Sequence, residues 1–357
     1  MNTPTVSVIV PCRNERAFIA DCIYSVVTDG YPHNDMEILV IDGMSTDGTR
    51  GVLEKLKLLY PFLGVLDNPA RSTPVGLNLG IRAARGRVIV RIDAHSTICC
   101  NYIGKCADAV LSGRADNAGG SMLTVPQNDS LFGAAVVACL SHVFGVGGSR
   151  FRTGAKKPLL VDTVFGGCFR RSLFDEIGFF NEKLSRGQDM EFNRRLEKRG
   201  KRILLLPDVV SVYHARSTVG MFLGHNWTNG VWAILPFLYS HVTPVSLRHL
   251  IPLLFALSVS VAVVLAAARP AVGLWFLAAI MVPYAVVCLA AAVEIAVRRR
   301  KPLLLPLVPF VFLGLHLSYG FGSCWGLLRA ARTLASGRFH ISTSSQVAVA
   351  QNAEGRP

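Results

Sequence analysis

Asp93 and His95 stand two residues apart at the end of an apolar run, Arg87–Asp93 (RVIVRID). In an extended chain residues i and i+2 point the same way, so these two side chains can address one object. A carboxylate and an imidazole suit Mn2+ or Mg2+ bridging a diphosphate, and the softer imidazole tilts the choice toward Mn2+. The plain alternative is that His95 hydrogen-bonds a cleft wall. Two further carboxylates follow apolar runs. Val6–Pro11 (VSVIVP) leads into Cys12-Arg13-Asn14-Glu15, and Glu37–Asp42 (EILVID) ends at Asp42 before Gly43-Met44-Ser45-Thr46-Asp47-Gly48-Thr49. An acidic residue closing a strand is often only a turn former or helix cap. Three of them on one edge describe a polar cleft large enough for a nucleotide.

Downstream, Val164–Arg171 (VFGGCFRR) carries Gly166-Gly167 inside a strand-like stretch. Such a pair marks close backbone approach of a ligand, or an ordinary bulge. Ser185-Arg186-Gly187-Gln188-Asp189 opens a helix running to Arg199, with Gly200 as its terminator. Asp189 falls in the first turn or at the N-cap, where a purely capping role is worth about 1 kcal/mol. After Lys201–Pro207 (KRILLLP), another strand, come His214, a candidate further metal ligand, and Arg216, a candidate phosphate clamp.

The elements that must position these groups alternate. Strands are expected at Val6–Pro11, Glu37–Asp42, Leu63–Leu66 and Arg87–Asp93. Helices are expected at Arg16–Thr28, Thr49–Tyr60, Thr73–Ala84 and Tyr102–Leu111. Arg16–Thr28 puts Phe18, Ile19, Cys22, Ile23, Val26 and Val27 on one face, and Pro74 sits in a first turn, where proline is tolerated. This βαβα order implies an α/β domain with a mostly parallel sheet covered on both faces. Ligands of such sheets bind beyond the carboxyl ends of the strands.

The whole chain has 357 residues, 51% of them hydrophobic, and a formal net charge of +14. That hydrophobicity excludes a disordered protein, and no period of 20–50 residues points to a repeat fold. Residues 251–268, 271–293 and 303–328 carry no charge. A membrane span needs roughly 20 apolar residues, so spans are expected at about 251–268, 271–297 and 303–328, the first borderline short. Arg298, Arg299, Arg300 and Lys301 link the second and third runs, and basic loops stay cytoplasmic. The first two runs then form a hairpin, with everything before Arg248 in the cytoplasm. The third run conflicts with the rule: Arg329, Arg332 and Arg338 follow it, which leaves a re-entrant hairpin or an exception. Met1 to Pro4 lead straight into a strand without a basic leader, so no signal peptide is expected. Nine scattered cysteines read as reduced thiols. From Arg248 onward ten basic residues face two acidic ones, leaving 27 against 21 ahead of it. That mild excess suits anionic lipid or phosphorylated ligands. Nucleic acid is not expected, for want of a basic stripe interleaved with aromatics.

The ordered set VSVIVPCRNE, VIDGMSTDGT, ARGRVIVRIDAH, VFGGCFRRSLFDEIGFFNE and RGQDMEFNRRL, from Val6 to about Thr218, resembles family-2 glycosyltransferases of the GT-A fold. Together with SLRHLIP at the start of the apolar region, it is most similar to membrane-anchored bacterial enzymes that build exopolysaccharide, of the succinoglycan glucosyltransferase type. The resemblance implies roles. Pro11, Glu15, Asp42, Arg71 and Asp93 match positions at the donor nucleotide. Asp93 and His95 match the metal motif, with His214 a further ligand. Gly166, Gly167 and Gln188 match the sugar site, and Trp227 is a candidate to stack on a sugar or anchor at the membrane interface, as is Trp232. Asp189 matches the catalytic base, and Arg216 the diphosphate contact. The pattern departs in three places: Asp42-Gly43 has one carboxylate where relatives have two, Asp-x-His replaces Asp-x-Asp, and the Gln-x-x-Arg-Trp motif of processive synthases is absent, which argues against a long-chain polymerase.

The expected protein is thus an inverting, Mn2+- or Mg2+-dependent hexosyltransferase at the plasma membrane, its catalytic domain cytoplasmic. By resemblance its donor is a UDP-sugar, and its acceptor a saccharide on polyprenyl diphosphate in the lipid bilayer. The alternatives are a polyprenyl-phosphate monosaccharide transferase, akin to dolichol-phosphate-mannose synthases, or a non-catalytic scaffold subunit. The expected divisions are a catalytic domain over 1–218, an interfacial segment over 219–247, a transmembrane region over 248–332 and a flexible tail over 333–357.

Overall fold

The computed structural model describes residues 3–243 and 245–336; the expected tail lies outside them from residue 337 onward. The N-terminal half alternates as its pattern dictates: β1 (Val6–Cys12), α1 (Ile19–Val27), β2 (Met36–Asp42), α2 (Thr49–Leu59), β3 (Leu63–Asp67), α3 (Thr73–Ala83) and β4 (Val88–Arg91). β3, β2, β1 and β4 lie side by side in that order, all parallel. Their side chains alternate between two cores, as the period of two requires. Val6, Val8 and Val10 of β1 join Ile38 and Val40 of β2 beneath α1 and α4 (Tyr102–Leu111). Ile9, Leu39 and Ile41 pack on the opposite face with Leu77 and Ile81 of α3. Burial on both faces is why β1 and β2 read as continuous apolar runs.

The C-terminal half is mixed. After β5 (Ser96–Ile98) and α4 come β6 (Asn117–Pro126), α5 (Leu131–Leu140), α6 (Val143–Val146), α7 (Arg150–Thr153) and β7 (Leu159–Leu160). Then follow β8 (Cys168–Arg170), α8 (Ser172–Ile177), α9 (Gln188–Lys198) and β9 (Ile203–Ala215). The sheet runs on from β4 as β8, β6, β9 and β5, with β7 pairing β9. The long β6/β9 ladder is parallel and the short ones are antiparallel. The strand-like stretch expected over Val164–Arg171 is strand only at Cys168–Arg170, and the strand expected over Lys201–Pro207 extends to Ala215.

α10 (Val219–Ile234) leads to three helices long and apolar enough to cross a membrane, Leu247–Ala268, Pro270–Arg299 and Leu307–Ala335. Their main helices are α11 (Ile251–Ala268), α12 (Pro270–Arg299) and α13 (Leu307–Ala335). The third run is one continuous helix rather than a re-entrant hairpin. Pro306 and Pro309 fall at its start, where the first backbone N–H groups have no intrahelical partner to lose. α13 packs closely along α10: a Cβ at Gly322 would lie 2.1 Å from the Trp227 carbonyl oxygen, and one at Gly230 1.9 Å from that of Tyr319. α12 and α13 also share a core with α5, where Cys139, Cys288, Val308 and Phe312 meet.

Candidate functional site

A polar cleft of about 530 Å3 opens beyond the carboxyl ends of β1 and β4 and at the first turn of α9. Pro11, Glu15, Arg71, Asp93, His95, Gln188, Asp189 and Arg216 all line it. The loop after β1 is tied to the loop after β2: the Asn14 N–H donates to Ser45 Oγ at 2.8 Å, and the Glu15 N–H to Thr49 Oγ1 at 2.9 Å. This fixes the Glu15 side chain, whose Oε1 lies 3.1 Å from His95 Nδ1. That hydrogen bond raises the pKa of His95 against the opposing effect of burial. Arg71 takes a left-handed backbone conformation, φ 55°, and its carbonyl oxygen accepts from Arg13 at 3.5 Å.

Arg91 lies buried beside Asp93, its Nη2 2.9 Å from Asp93 Oδ1. Burial alone would raise the Asp93 carboxyl, but Arg91 and then His95 hold it below its ordinary value. Burial works against the Arg91 charge, while Asp93 and then Asp189 more than restore it. Asp93 and His95 are therefore two donors facing the cleft. Among the described residues no group of three or more His, Cys, Asp or Glu is arranged to hold a metal. A hard divalent cation wants six or more ligands. The pair thus fits an ion that brings diphosphate oxygens with it, not an all-protein cage.

Several expected site residues stand elsewhere. His214 does not line the cleft: its ring faces Phe18, 6.1 Å away, because neighbouring strand residues point oppositely and Tyr213 takes the cleft side. Asp42 is fully buried and does not line the cleft. Its carboxylate accepts from Ser45 Oγ at 2.5 Å and from Arg50 Nε at 2.7 Å. Gly166 and Gly167 are buried behind the cleft. Their positive φ angles, 68° and 109°, go with close approach to protein: a Cβ on Gly166 would lie 2.6 Å from the Arg91 carbonyl oxygen, and the Gly167 carbonyl accepts from the Arg91 N–H at 2.9 Å. Trp227 sits on the far side of α10 and lines neither cavity, whereas Trp232 does.

α9 begins after Gly187, whose φ of 74° turns the chain so that Gln188 and Asp189 face the cleft. Gln188 is buried, and its Oε1 has no hydrogen-bond partner. Asp189 Oδ1 accepts from the neighbouring Met190 N–H at 2.9 Å; among the described residues no arginine or lysine forms a direct ion pair with it, and its charge acts on Arg91 from a distance. Asp189 also lines a second cavity of about 690 Å3, which runs from the cleft toward α11, α12 and α13. Arg186, Tyr213, Arg216, His225 and Asn229 line both spaces.

Sequence reading assigns no role to Arg152, Arg186, His225 and Asn229: Arg186 stands inside the RGQD stretch but is passed over for Gln188 and Asp189, and the others come from a four-residue helix and α10 without a local pattern. Arg216 Nη1 lies 2.8 Å from His225 Nδ1, and Arg186 Nη1 donates to Asn229 Oδ1 at 2.8 Å. Burial, then Arg216, pushes the His225 pKa down to about 3, so the neutral ring accepts from Arg216. The arrangement offers an unpaired carboxylate between an anion-binding cleft and an apolar cavity, which suits proton removal from a group brought in from the membrane side.

The succinoglycan biosynthesis protein ExoA of Rhizobium meliloti (strain 1021) is 28% identical over 330 residues, 92% of this chain and 96% of its own. A dolichyl N-acetyl-alpha-D-glucosaminyl phosphate 3-beta-D-2,3-diacetamido-2,3-dideoxy-beta-D-glucuronosyltransferase of Methanococcus voltae is 28% identical over 61% of this chain and 69% of its own. The fold is shared with the mannosyltransferase PcManGT from Pyrobaculum calidifontis, solved with GDP-Man and Mn2+: TM-score 0.54, 20% identity, 91% of this chain and 88% of that one. Residues 7–178 match the family model Glycosyl transferase family 2, so the chain carries a domain of that family, of GT-A type, ahead of its three apolar helices.

Proposed function

We propose that the protein is a membrane-associated, inverting glycosyltransferase. It moves a hexose from a nucleotide-sugar, UDP by resemblance, to a saccharide carried on polyprenyl diphosphate. The observation that carries this reading is the place of Asp189, a carboxylate without a direct ion pair among the described residues, where the polar cleft meets the apolar cavity. The names of the relatives, in succinoglycan biosynthesis and in transfer to a dolichyl-linked sugar, support it.

In this mechanism the donor lies in the cleft with its diphosphate toward Arg216 and Arg186. Asp189 takes the proton from an acceptor hydroxyl as that oxygen bonds to the anomeric carbon. The bond from that carbon to the diphosphate breaks, and its electron pair leaves on the diphosphate. The two arginines meet the charge that develops there. Mn2+ or Mg2+, held at Asp93 and His95, would neutralise further diphosphate charge. Gln188, with a free acceptor, suits a hydroxyl of the transferred sugar.

The test is an assay of detergent-solubilised full-length protein with UDP-, GDP- and dTDP-sugars, following label into a bacterial lipid extract with Mn2+, Mg2+ or EDTA. Transfer from one donor that falls about 10²–10⁴-fold in Asp189→Asn, with nucleotide binding kept, is the expected result. Normal turnover in that variant would sink the assignment of the base. Nucleotide binding with no transfer from any donor would favour a scaffold subunit.

A further inference from the structure

The larger cavity holds charge that the transfer mechanism does not use. Arg152, on α7, lines this space and not the donor cleft. Its Nη1 is buried without a hydrogen-bond partner, and its guanidinium lies 5.5–5.6 Å from the ring centres of Phe151 and Tyr213. Burial lowers its pKa, and no carboxylate pairs with it among the described residues. Arg186 and Arg216 likewise bond only neutral partners, and Arg248 is already paired with Asp162 at 2.9 Å. Asp189 is the only acidic residue among those lining the cavity. An unpaired buried cation is costly and is normally answered by an anion. Beyond the arginines the wall turns apolar, with Phe255 from α11, Tyr284 from α12 and Leu315 from α13. A volume of about 690 Å3 is within the usual range for ligand sites.

We propose that this cavity is the seat of a lipid phosphate, gripped by Arg152, with the first part of its chain against the helices that adjoin the membrane. The proposal rests on the transferase reading and deepens it. A free phosphate would gain nothing from the apolar wall, and a neutral lipid would leave Arg152 uncompensated. Arg152 lines only the cavity that reaches the apolar helices, whereas Asp189 borders both spaces. The phosphate therefore sits membrane-ward of the base, and the group that meets Asp189 is a hydroxyl of the sugar that the lipid phosphate carries, not a phosphate oxygen.

The experiment is equilibrium binding of radiolabelled farnesyl diphosphate to the full-length protein in detergent, with UDP, GDP and dTDP binding measured on the same samples. Saturable binding is expected. It should weaken by about tenfold or more in Arg152→Gln, the loss of one charge-assisted contact, and be partly restored in Arg152→Lys. Farnesol and inorganic diphosphate should each compete poorly. Binding unchanged in Arg152→Gln, with nucleotide binding intact as the control for folding, overturns the proposal. Equal competition by inorganic diphosphate, which would mark a free-anion site, or by farnesol, which would mark a merely apolar one, does the same. Single-sugar transfer to undecaprenyl monophosphate would overturn the placement of the phosphate beyond Asp189. Farnesyl diphosphate binding by a wild-type protein that binds no nucleotide would instead defeat the transferase reading and leave this site standing.

Discussion

Three carboxylates offered by strand and helix ends meet three fates, decided by which arginine reaches them. Asp42 is claimed by Arg50, eight residues on in α2, and Asp93 by Arg91, two residues back at the end of β4. Asp189 has no direct ion pair among the described residues and meets Arg91 only at longer range. The types Asp93, Glu15, Asp189 and Arg216 were legible in the sequence because each follows a recognisable element. The loss of Asp42 to Arg50 was not, since it depends on how the first turn of α2 is aimed. Gln188 shows the cost of keeping a site open: its Oε1 is buried and unpartnered. Gln188→Leu should therefore hold or raise the thermal midpoint while the donor KM rises about 2–10-fold, the worth of one hydrogen bond. Unchanged donor kinetics would remove Gln188 from the sugar site. His225 makes a pH prediction. Its folded pKa near 3 lies below the ordinary 6.5, so below 6.5 the unfolded chain binds more protons than the folded one. Its contribution to stability is present above 6.5 and lost as the pH falls from there. His225→Asn keeps an acceptor for Arg216 and should flatten the fall of the thermal midpoint from pH 6.5 to about 5. Equal slopes would mean that His225 is already charged.

Among elements, the βαβα half was readable to within a few residues because each strand is an apolar run and each helix has one apolar face. Residues 112–163 were not. β6 contains Gly119-Gly120, which weakens any strand pattern, yet the packing demands them: a Cβ on Gly120 would lie 2.1 Å from the Val209 carbonyl oxygen. α5 (LFGAAVVACL) is covered by both β6 and α13 and so lacks a polar face to reveal its period. The seam between α10 and α13 is the element on which the two halves of the site depend, because α10 carries His225 and Asn229. Small residues let helix backbones approach closely, and Gly230, Gly322 and Gly326 do so here. Gly230→Ala must push α13 away, so it should cost about 1–3 kcal/mol or more and raise the lipid-acceptor KM. Gly224→Ala, on the same helix with nothing within 4 Å, should be neutral or slightly stabilising. A thermal midpoint in Gly230→Ala equal to that of Gly224→Ala would show that the seam is looser than its geometry.

At the scale of the molecule, the conflict between the third apolar run and the basic residues after it turns on the direction of α13. α11 and α12 form a hairpin with Arg269 at its tip. Among the contacts of α13 with that hairpin, Pro309 O lies 3.7 Å from Cys288 Sγ, His316 Nδ1 lies 2.9 Å from Tyr284 Oη, and a Cβ on Gly320 would lie 2.2 Å from the Pro252 carbonyl oxygen. Cys288, Tyr284 and Pro252 stand 19, 15 and 17 positions from Arg269. At 1.5 Å per residue these are all about 22–28 Å from the tip, near the far side of a hydrocarbon layer of about 30 Å. These three contacts fall near one level of the hairpin. Both its ends meet parts of the catalytic side: Val308 and Phe312 pack with α5, and Ala330 packs with Val231, Leu235 and Leu238. Were α13 to lie along the membrane under the catalytic domain, Arg329 and Arg332 would stay on the side that the positive-inside rule requires. The measurement is cysteine labelling in cells, with exposed Cys99 and Cys100 replaced by serine. Arg269→Cys should react with a membrane-impermeant maleimide in intact cells. Ser336→Cys and Lys55→Cys, the latter on α2, should react only after permeabilisation. Labelling of Ser336→Cys in intact cells would instead make α13 a third crossing and carry both arginines to the opposite face from the site.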